Sequence, residues 1–394
     1  MNRNLKRKIR LFFSVLSESK FGSINVLYKK KRIFSYTGTL KGPKAEIIII
    51  NEKCIEDFFL KGDLGWAESY IEGNWETSNL TDFLEWGAKN FHEFNRFIRG
   101  KWYIILFLRI KHLLNNNSKK GSKKNISFHY DLGNLFYKQW LDKSMTYSSA
   151  LFKNKNQNLY DAQINKYKNL TDLCKIKPGD EVLEIGCGWG GFSSYLAKEL
   201  KARVTAITIS KKQFESVQNK IYDNKLNDLV DVKLSDYREV KGQFDHIVSI
   251  EMFEAVGEKY WPLYFNVLKK NLKSNGNIGL QTITIDNSFF KTYRKFPDFI
   301  QTYIFPGGML PSVEEMKKIT RSIGLNILEE KMFGLHYAKT LKYWKESFES
   351  SWGNIRNIGF DNTFRRLWEY YLSYCEGGFK SGNINVGQFL IKKV

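Results

Sequence analysis

The stretch VLEIGCGWGG at residues 182–191 joins an apolar run to a loop rich in glycine. Gly186, Gly188 and Gly190 follow the apolar run directly. A loop of this kind after a strand turns sharply and lets backbone N–H groups and the start of the next helix approach a ligand. The same stretch also fits the G-x-G-x-x-G pattern of a dinucleotide site, so the loop alone does not name its ligand.

Residues at the predicted strand ends favour S-adenosylmethionine over NAD. Glu184 lies at the end of the first strand, where a carboxylate can meet an ammonium group. The second strand ends at Thr208, with no acid of the kind that binds an NAD ribose. Asp236 and Tyr237 end the third strand, where a carboxylate can accept from an adenine amino group and a ring can pack on the base. The alternative for Asp236 is a helix or turn cap. A P-loop pattern is absent from the sequence, which excludes that class of nucleotidase.

Strands and helices alternate along this part of the chain. The sequence predicts strands over residues 181–186, 203–208, 230–236, 244–251 and 277–285, with helical patterns between them, as at 211–224 and 261–272. This spacing indicates parallel βαβ units in an α/β fold, with the ligand at the carboxyl ends of the strands. An alternating stretch over residues 384–392 is predicted to close the sheet.

A polar segment divides the chain. Residues 115–125 read NNNSKKGSKKN, which contains no apolar residue and is typical of a linker. We therefore predict an N-terminal domain over residues 1–114, a linker over 115–124 and a second domain over 125–394. Within the first domain, residues 91–114 predict a basic amphipathic helix that either packs on its own domain or lies at a membrane interface.

Positive charge limits the kinds of partner. The chain has 394 residues and a net charge of +21, with basic clusters at residues 3–10 and 29–32. This charge suits an anionic membrane surface or nucleic acid, and a biased composition is the alternative that needs no partner. A nucleic-acid methyltransferase usually has an N-P-P-Y or D-P-P-Y loop after the fourth strand. This chain reads SIEMFEAVG there, so we expect no nucleic-acid partner.

Composition disfavours membrane-spanning and secreted proteins. No apolar run reaches the roughly 18 residues that a membrane helix needs, and no signal-peptide pattern follows the basic N-terminus. The cysteines Cys54, Cys174, Cys187 and Cys375 lack the spacing of a metal site or a disulfide framework. We expect a cytoplasmic protein without a bound metal, attached peripherally to the inner membrane face.

Several blocks resemble the cyclopropane-fatty-acyl-phospholipid synthase family, including its mycolic acid cyclopropane synthase-like members. They cover much of residues 125–394 and read HYDLGNLFYKQWLDKSMTYSSALF (129–152), VLEIGCGWGG (182–191), TISKKQ (208–213), EMFEAVGEKY (251–260), QTYIFPGGMLPS (301–312), FGLHYAKTL (333–341) and YYLSYCEGGF (370–379). Residues 66–86 resemble the family's lipid-docking domain. The resemblance implies a Rossmann-like class I methyltransferase sheet, doubly wound, with a smaller N-terminal lipid-docking domain. It also implies methylene transfer from S-adenosylmethionine to the double bond of an unsaturated phospholipid acyl chain.

Roles for individual residues follow from these matches. With Glu184 and Gly190 from the loop region, the expected cofactor pocket consists of Tyr147, Ser148, Glu184, Gly186, Gly188, Gly190, Thr208, Gln213, Asp236 and Tyr237. Part of the role of Gln213 is alternatively a capping box with Ser210. Glu254 and Tyr337 match residues that hold a bicarbonate, the general base in the family. Cys375 matches an active-site cysteine, with a structural role as the alternative because its sequence neighbours offer no cation. A homodimer is possible by the same resemblance.

Two candidate catalytic positions depart from the family pattern. Ser149 replaces the usual cysteine, and Gln281 replaces the usual histidine two residues before Ile283. Both positions normally contact the bicarbonate. Glutamine cannot become a cation, so the anion pocket is less positive. The carbocation formed when an alkene takes up a methyl group therefore has two possible fates: closure to a cyclopropane, or methyl transfer without ring closure.

Aromatic residues in the 129–152 block are candidates to stabilise that carbocation through their ring faces. They are Tyr130, Phe136, Tyr137, Trp140, Tyr147 and Phe152, and core packing is the alternative for each. Two further functions stay open. A small-molecule amine methyltransferase would share the blocks without needing a basic N-terminal domain. A non-catalytic lipid-binding protein would result if the altered anion pocket were inactive.

Overall fold

The chain folds into two compact units, each assembled from separate segments. A computed structural model describes residues 3–94, 100, 101, 103, 107, 115, 117–119, 121–123, 125 and 132–394. The first unit consists of Met1–Leu114, Lys291–Ile304 and Trp352–Ile384, and the second of Asn115–Phe290, Phe305–Ser351 and Asn385–Val394. The second unit begins where the linker was predicted. The first unit, however, includes two segments that the sequence analysis placed in the domain over 125–394.

The secondary structure is named in chain order. The strands are β1 (Phe21–Tyr28), β2 (Lys31–Thr37), β3 (Leu40–Ile49), β4 (Trp75–Glu76), β5 (Glu181–Ile185), β6 (Arg203–Thr208), β7 (Val230–Leu234), β8 (Phe244–Ile250), β9 (Leu272–Ile285), β10 (Leu325–Met332) and β11 (Ile384–Lys393). The helices are α1 (Arg3–Leu16), α2 (Lys53–Lys61), α3 (Asp63–Ile71), α4 (Leu80–Lys89), α5 (Phe91–Phe94), α6 (Asn134–Lys138), α7 (Leu159–Cys174), α8 (Gly191–Leu200), α9 (Lys211–Asp223), α10 (Trp261–Asn271), α11 (Asn287–Tyr293), α12 (Val313–Ser322), α13 (Gly334–Ser350), α14 (Trp352–Asn357) and α15 (Asn362–Ser381).

The first unit contains a four-stranded mixed sheet in the order β2-β1-β3-β4. β1 pairs parallel with β3 and antiparallel with β2, and β3 pairs antiparallel with β4. Residues along β1 alternate in burial, so that Ile24 and Val26 point into the core. This alternation is what a half-buried strand requires, because successive side chains point to opposite faces. Of the helix predicted over residues 91–114, only the turn Phe91–Phe94 lies in a continuously described stretch.

Stacked aromatic rings form the core of the first unit. The rings of Trp66 and Trp75 stack with centroids 4.6 Å apart, and Phe12 of α1 stacks on Trp66 at 5.5 Å. The indole Nε1 of Trp75 donates to the carbonyl of Trp66 at 2.9 Å. The many aromatics over residues 66–86 therefore include core residues that hold α1, α3 and β4 together.

The second unit is built on a seven-stranded sheet in the order β10-β11-β9-β8-β5-β6-β7. The pairs β5–β6, β6–β7, β5–β8 and β8–β9 are parallel, and β10 pairs antiparallel with β11. The chain leaves β5 toward β6 and β7 and then returns to β8 on the other side of β5. Ligands bind in the crevice that such a reversal opens at the carboxyl ends of the strands. The predicted doubly wound α/β sheet is confirmed.

Two parts of this sheet differ from the prediction. β9 begins at Leu272, five residues before the predicted start at residue 277, and β10 was not predicted. Along β10, only Leu325 is buried and the last five residues are exposed. A strand with so little burial shows no apolar alternation, so its position depends on its pairing with β11. No helix in the described part of the chain is both long and apolar enough to cross a membrane.

Close contact between α7 and β9 requires a glycine in the sheet. A Cβ atom added at Gly279 would lie 3.0 Å from Leu170 Cδ1 and closer still to Cys174 Sγ. Both neighbours are fully buried and belong to the apolar cluster beneath the glycine loop. Because protein interiors are close-packed, the helix cannot move away without losing contacts on its other side.

We expect Gly279→Ala to lower the free energy of unfolding by about 1–3 kcal/mol, because the added methyl overpacks the contact between α7 and β9. Urea denaturation of the full chain measures this change. Gly87→Ala is the matched control, since an added Cβ there has no neighbour within 4 Å and the position lies in helix α4. The control should gain up to about 1 kcal/mol from helix propensity. Equal stability of the two variants would contradict the packing argument.

Candidate active site

The glycine loop between β5 and α8 combines tight packing with open space. Gly186, Gly188 and Gly190 have φ angles of 80°, 53° and 71°, in the left-handed region. A side chain at Gly186 would collide with Met252, and one at Gly190 with Val217, each at 2.8 Å. No atom of the described residues lies within 4 Å of a Cβ added at Gly188. The outer glycines are therefore needed for packing, whereas Gly188 borders the space where a ligand can lie.

Glu184 places a buried carboxyl group at the end of β5. The residue is 3% exposed, and its Oε2 has no hydrogen-bond partner among the described residues. Burial raises the pKa of Glu184 to about 7. A buried polar atom without a partner is rare and costly, so this oxygen marks a position that a ligand donor can complete. That agrees with the predicted contact to an ammonium group.

Thr208 and Gln213 bind each other at the end of β6. The Thr208 hydroxyl donates to Gln213 Oε1 at 2.9 Å and accepts from the Ser210 N–H at 3.2 Å. Ser210 caps α9 by accepting from the Gln213 N–H at 3.4 Å. Ser210 is therefore the N-cap of α9, but the capping box is incomplete, because the Ser210 N–H donates to Thr208 and the Gln213 side chain accepts from Thr208.

Asp236 caps the turn that follows β7. Its Oδ1 accepts from Arg238 N–H at 2.9 Å and from Arg238 Nε at 2.7 Å, and its Oδ2 accepts from Arg238 Nη2 at 2.6 Å. Although burial opposes ionisation, these bonds hold the pKa of Asp236 below its usual value. The capping alternative is therefore confirmed. The adenine contact stays a prediction, with Oδ2 as the less occupied oxygen, and Tyr237 beside it is buried.

Glu251, immediately after β8, is the centre of a hydrogen-bonded cluster. Its Oε1 accepts from the Ser149 N–H at 2.9 Å and from Gln281 Nε2 at 2.8 Å. Its Oε2 accepts from the Tyr337 hydroxyl at 2.6 Å. Three predicted catalytic residues, Ser149, Gln281 and Tyr337, are thus brought together around a carboxylate that the sequence analysis did not select. We call these four residues the Glu251 cluster.

Glu254 is held differently. Its Oε1 accepts from the Ile283 N–H at 2.5 Å, so these two predicted residues meet through the backbone of β9. The second oxygen, Oε2, is enclosed and has no hydrogen-bond partner in the described part of the chain. Burial, reinforced by the nearby charge of Glu251, raises the pKa of Glu254 to about 8. Glu254 therefore carries a proton at neutral pH.

Lys166 of α7 introduces a buried ammonium group beside the site. It is fully buried and donates to Ser148 Oγ at 2.7 Å. Burial lowers the pKa of Lys166 to about 7, and the attraction of Glu251 opposes this shift. The sequence analysis predicted Ser148 but missed Lys166. The signal for it was helical spacing, because Lys166 lies four residues from both Ala162 and Leu170 on the buried face of α7.

Aromatic rings surround Tyr147 on several sides. Its ring centroid lies 5.4 Å from Tyr137, 5.5 Å from Trp140 and 5.2 Å from Trp344. Trp344 also packs against Tyr337 at 6.0 Å, which links the ring cluster to the Glu251 cluster. Tyr130, another predicted ring, lies outside the described residues. Phe152 stacks instead on Tyr343 at 5.8 Å.

Cys375 lies in the first unit, on α15, whereas the other predicted site residues belong to the second unit. Burial, with the charge of Asp298, raises the pKa of the Cys375 thiol well above its usual value. A thiol with a raised pKa is a poor nucleophile at neutral pH. These facts favour the structural role, and a catalytic role for Cys375 stays an untested prediction.

Glu251 was within reach of sequence reasoning, because it stands at the carboxyl end of a predicted strand. It was passed over in favour of Glu254, three residues later in the same block. Its backbone φ of 51° is uncommon for a residue other than glycine. Neither this conformation nor the contact with Ser149, about 100 residues earlier in the chain, leaves a local pattern in the sequence.

Comparison with known proteins identifies the family. Residues 117–389 match the mycolic acid cyclopropane synthetase family. Tuberculostearic acid methyltransferase UfaA1 of Mycobacterium tuberculosis is 35% identical over 339 residues, covering 84% of this chain and 79% of that protein. Cyclopropane-fatty-acyl-phospholipid synthase of Escherichia coli is 35% identical over 357 residues, covering 89% of this chain and 88% of that protein.

A solved structure shows the same architecture. The crystal structure of mycolic acid cyclopropane synthase CmaA1 complexed with SAH and CTAB has a TM-score of 0.65 to this chain at 30% identity. The alignment covers 69% of this chain and 98% of that chain. The sequence match and the fold agree. This chain belongs to the mycolic acid cyclopropane synthetase family.

Proposed function

We propose that the chain transfers the methyl carbon of S-adenosylmethionine to the double bond of an unsaturated phospholipid acyl chain and closes a cyclopropane ring. The observation that carries the proposal is the Glu251 cluster at the ends of β8 and β9, on the same sheet edge as the open glycine loop after β5. This edge combines space for a nucleotide-type ligand with a group that can accept a proton. Family membership supports the same reaction.

The residues of the loop region suit S-adenosylmethionine. The open space beside Gly188 can take the ligand backbone, and the unpartnered Oε2 of Glu184 can accept from its ammonium group. Oδ2 of Asp236 can accept from the adenine amino group. Thr208 and Gln213 are the candidates to contact the part of the ligand between its ammonium group and its adenine. When bound, S-adenosylmethionine supplies an electrophilic methyl group that an alkene can attack.

The protein must then handle a carbocation in an apolar surrounding. Aromatic ring faces stabilise a desolvated cation by about 1–2 kcal/mol each, and the rings of Tyr137, Trp140, Tyr147 and Trp344 lie together in the second unit. Ring closure also needs a base to remove a proton from the transferred carbon. Bicarbonate is the base that the family resemblance implies.

Methyl transfer without ring closure is the second candidate. Two relatives with equal identity to this chain bear different names, a tuberculostearic acid methyltransferase and a cyclopropane-fatty-acyl-phospholipid synthase. Overall similarity therefore does not choose between the two products. The choice depends on which proton the carbocation loses, and product analysis separates the outcomes.

The first unit supplies a basic docking surface for the anionic face of a membrane. Phe13 of α1 stacks on Phe34 of β2 with centroids 4.6 Å apart, which joins two elements that carry basic residues. Leu11 and Ile33, on the same two elements, are 46% and 43% exposed. The basic docking surface consists of the exposed residues Lys6, Arg7, Arg10, Lys29, Lys30, Lys31 and Arg32. Basic residues near an anionic surface contribute about 1 kcal/mol each.

Attachment at the inner face of the cytoplasmic membrane is part of this proposal. Peripheral binding would give the second unit access to phospholipid acyl chains. A homodimer would carry two docking surfaces on one particle and would bind more tightly by avidity. Light scattering of the purified chain measures the oligomeric state.

Expression of the chain in a bacterial host that makes unsaturated phospholipids tests the reaction. We expect fatty acids one CH₂ heavier than the host alkenes and without a double bond, detected by gas chromatography with mass spectrometry. A product of the same mass that retains a double bond would support methyl transfer without ring closure. No new lipid, with S-adenosylmethionine binding intact, would contradict both candidates and favour an amine substrate or a binding role.

Gly188→Leu is the inactive control for that experiment. Its Cβ atom would have no neighbour within 4 Å among the described residues, and its side chain would extend into the space beside the loop, at a backbone cost of about 1–2 kcal/mol. We expect this variant to fold, to lose binding of S-adenosylmethionine in calorimetry, and to give no new lipid.

Removing charge from the docking surface should weaken membrane binding. We expect Lys30→Gln, Lys31→Gln and Arg32→Gln together to lower affinity for anionic vesicles roughly 100-fold, at about 1 kcal/mol per residue. Vesicle sedimentation at low salt measures this affinity. The matched control changes the exposed residues Lys153, Lys155 and Lys177 to glutamine, with the same loss of net charge. Equal weakening by both sets would show that total charge, not this surface, drives binding.

A further inference from the structure

We propose that the carboxylate of Glu251 is the general base for ring closure and occupies the position expected for a bicarbonate, so that this chain works without bound bicarbonate. The inference rests on the proposed function and names the group that performs its last step. It is carried by the geometry of the Glu251 cluster and by the distribution of charge around it.

Three of the residues expected to hold a bicarbonate already hold a carboxylate. Ser149 N–H, Gln281 Nε2 and the Tyr337 hydroxyl all donate to Glu251, at 2.6–2.9 Å. A carboxylate and a bicarbonate present the same planar pair of oxygens, so a donor set suited to one suits the other. Ser149 contributes through its backbone, which explains how serine can stand in the place of a cysteine.

These donors have little capacity left for a second anion. The Ser149 backbone and the Tyr337 hydroxyl each have one proton, and both are given to Glu251. Gln281 Nε2 gives one proton to Glu251 and directs the other toward the Ser149 carbonyl at 3.4 Å. Gln388 fixes the orientation of that amide by donating to Gln281 Oε1 at 2.9 Å. A bicarbonate would have to displace Glu251, so the residues present do not fit that group.

The backbone at Glu251 is shaped to present this side chain. Its φ of 51° lies in the left-handed region, where a residue with a Cβ is disfavoured. The Glu251 N–H donates to the Gln281 carbonyl at 2.8 Å, which anchors the turn to β9. Strained conformations of this kind persist where the surrounding structure enforces them, and they concentrate at functional sites.

The carboxyl groups of Glu251 and Glu254 have different surroundings. Burial raises the pKa of Glu251 above its usual value, while its three hydrogen bonds and the charge of Lys166 oppose that rise. Glu254 accepts from the Ile283 N–H, and burial with the charge of Glu251 raises its pKa to about 8, although the Thr282 side chain opposes that rise. Glu184 and Asp142 are the other acids that act on Lys166. When environments differ in this way, one carboxyl group retains its proton and the other acts as a base.

The reaction balances with these residues alone. The alkene π electrons form a bond to the methyl carbon, whose bond to sulfur breaks and leaves its electrons on a neutral thioether. The adjacent alkene carbon becomes the cation. The Glu251 carboxylate accepts a proton from the new methyl group, and the electrons of that C–H bond form the third side of the ring. The products are a cyclopropane and a protonated Glu251, which returns its proton to solvent before the next turnover.

The test compares purified wild-type chain with two variants at residue 251, in buffer stripped of carbon dioxide and with bicarbonate added back. We expect the wild-type rate of product formation to be the same in both buffers. Glu251→Gly should lose about 100-fold or more, as expected for a missing general base. Because glycine accepts a positive φ, this variant should fold, and added bicarbonate should restore part of its rate through the vacated position. Glu251→Gln fills the position without a base, so it should be inactive and unresponsive.

A wild-type rate that falls on removal of bicarbonate and recovers on its return would overturn the inference. A second readout does not need activity. Broadening of the NMR signal of ¹³C-labelled bicarbonate should appear with Glu251→Gly and be absent with the wild-type chain. If the wild-type chain makes no lipid product, the proposed function fails. The labelled bicarbonate then still tests whether bicarbonate binds at the position that Glu251 occupies. Bicarbonate binding to the wild-type chain would then contradict the inference by itself.

Discussion

A buried carboxylate at the end of β8 is the constraint around which the second unit is arranged. Removing such a charge from water costs several kcal/mol unless donors surround it. The donors to Glu251 come from Ser149, from Gln281 of β9 and from Tyr337 of α13. These segments are far apart in the chain, so the carboxylate is satisfied only when the strand order and the position of α13 are correct. The site and the fold therefore depend on each other.

The same network extends beyond the site. Gln388 of β11 donates to Gln281, and another hydrogen bond from its amide reaches the Lys166 carbonyl in α7. The Lys166 ammonium in turn binds Ser148, next to Ser149. A polar network in a region of low dielectric is strong when complete and costly when one member is removed. Strand β11 therefore has a chemical as well as a structural role. Its Gln388 holds the Gln281 amide so that the nitrogen, and not the oxygen, is directed to Glu251.

Local patterns in the sequence were enough to predict part of this protein. Short motifs predicted the glycine loop and the parallel strands around it. Matched blocks predicted that Ser149, Gln281 and Tyr337 belong to one site. β10 was missed because its residues are mostly exposed. The return of Trp352–Ile384 to the first unit was missed because unit membership is set by packing between distant segments. Glu251 and Lys166 were missed because a buried charge is recognised by its partners, which a linear pattern does not display.

The position of the base, more than its strength, decides which product this site makes. Loss of a proton from the carbon next to the cation leaves an alkene, and loss of a proton from the new methyl group closes the ring. The strength of the base does not by itself choose between these two protons. Distance and direction do, as in any reaction between groups held in a fixed geometry. Glu251 is fixed by three hydrogen bonds and by a backbone turn with φ of 51°. An anion that diffuses into a pocket lacks that covalent restraint. A base built into the chain therefore ties the product to the docked position of the lipid.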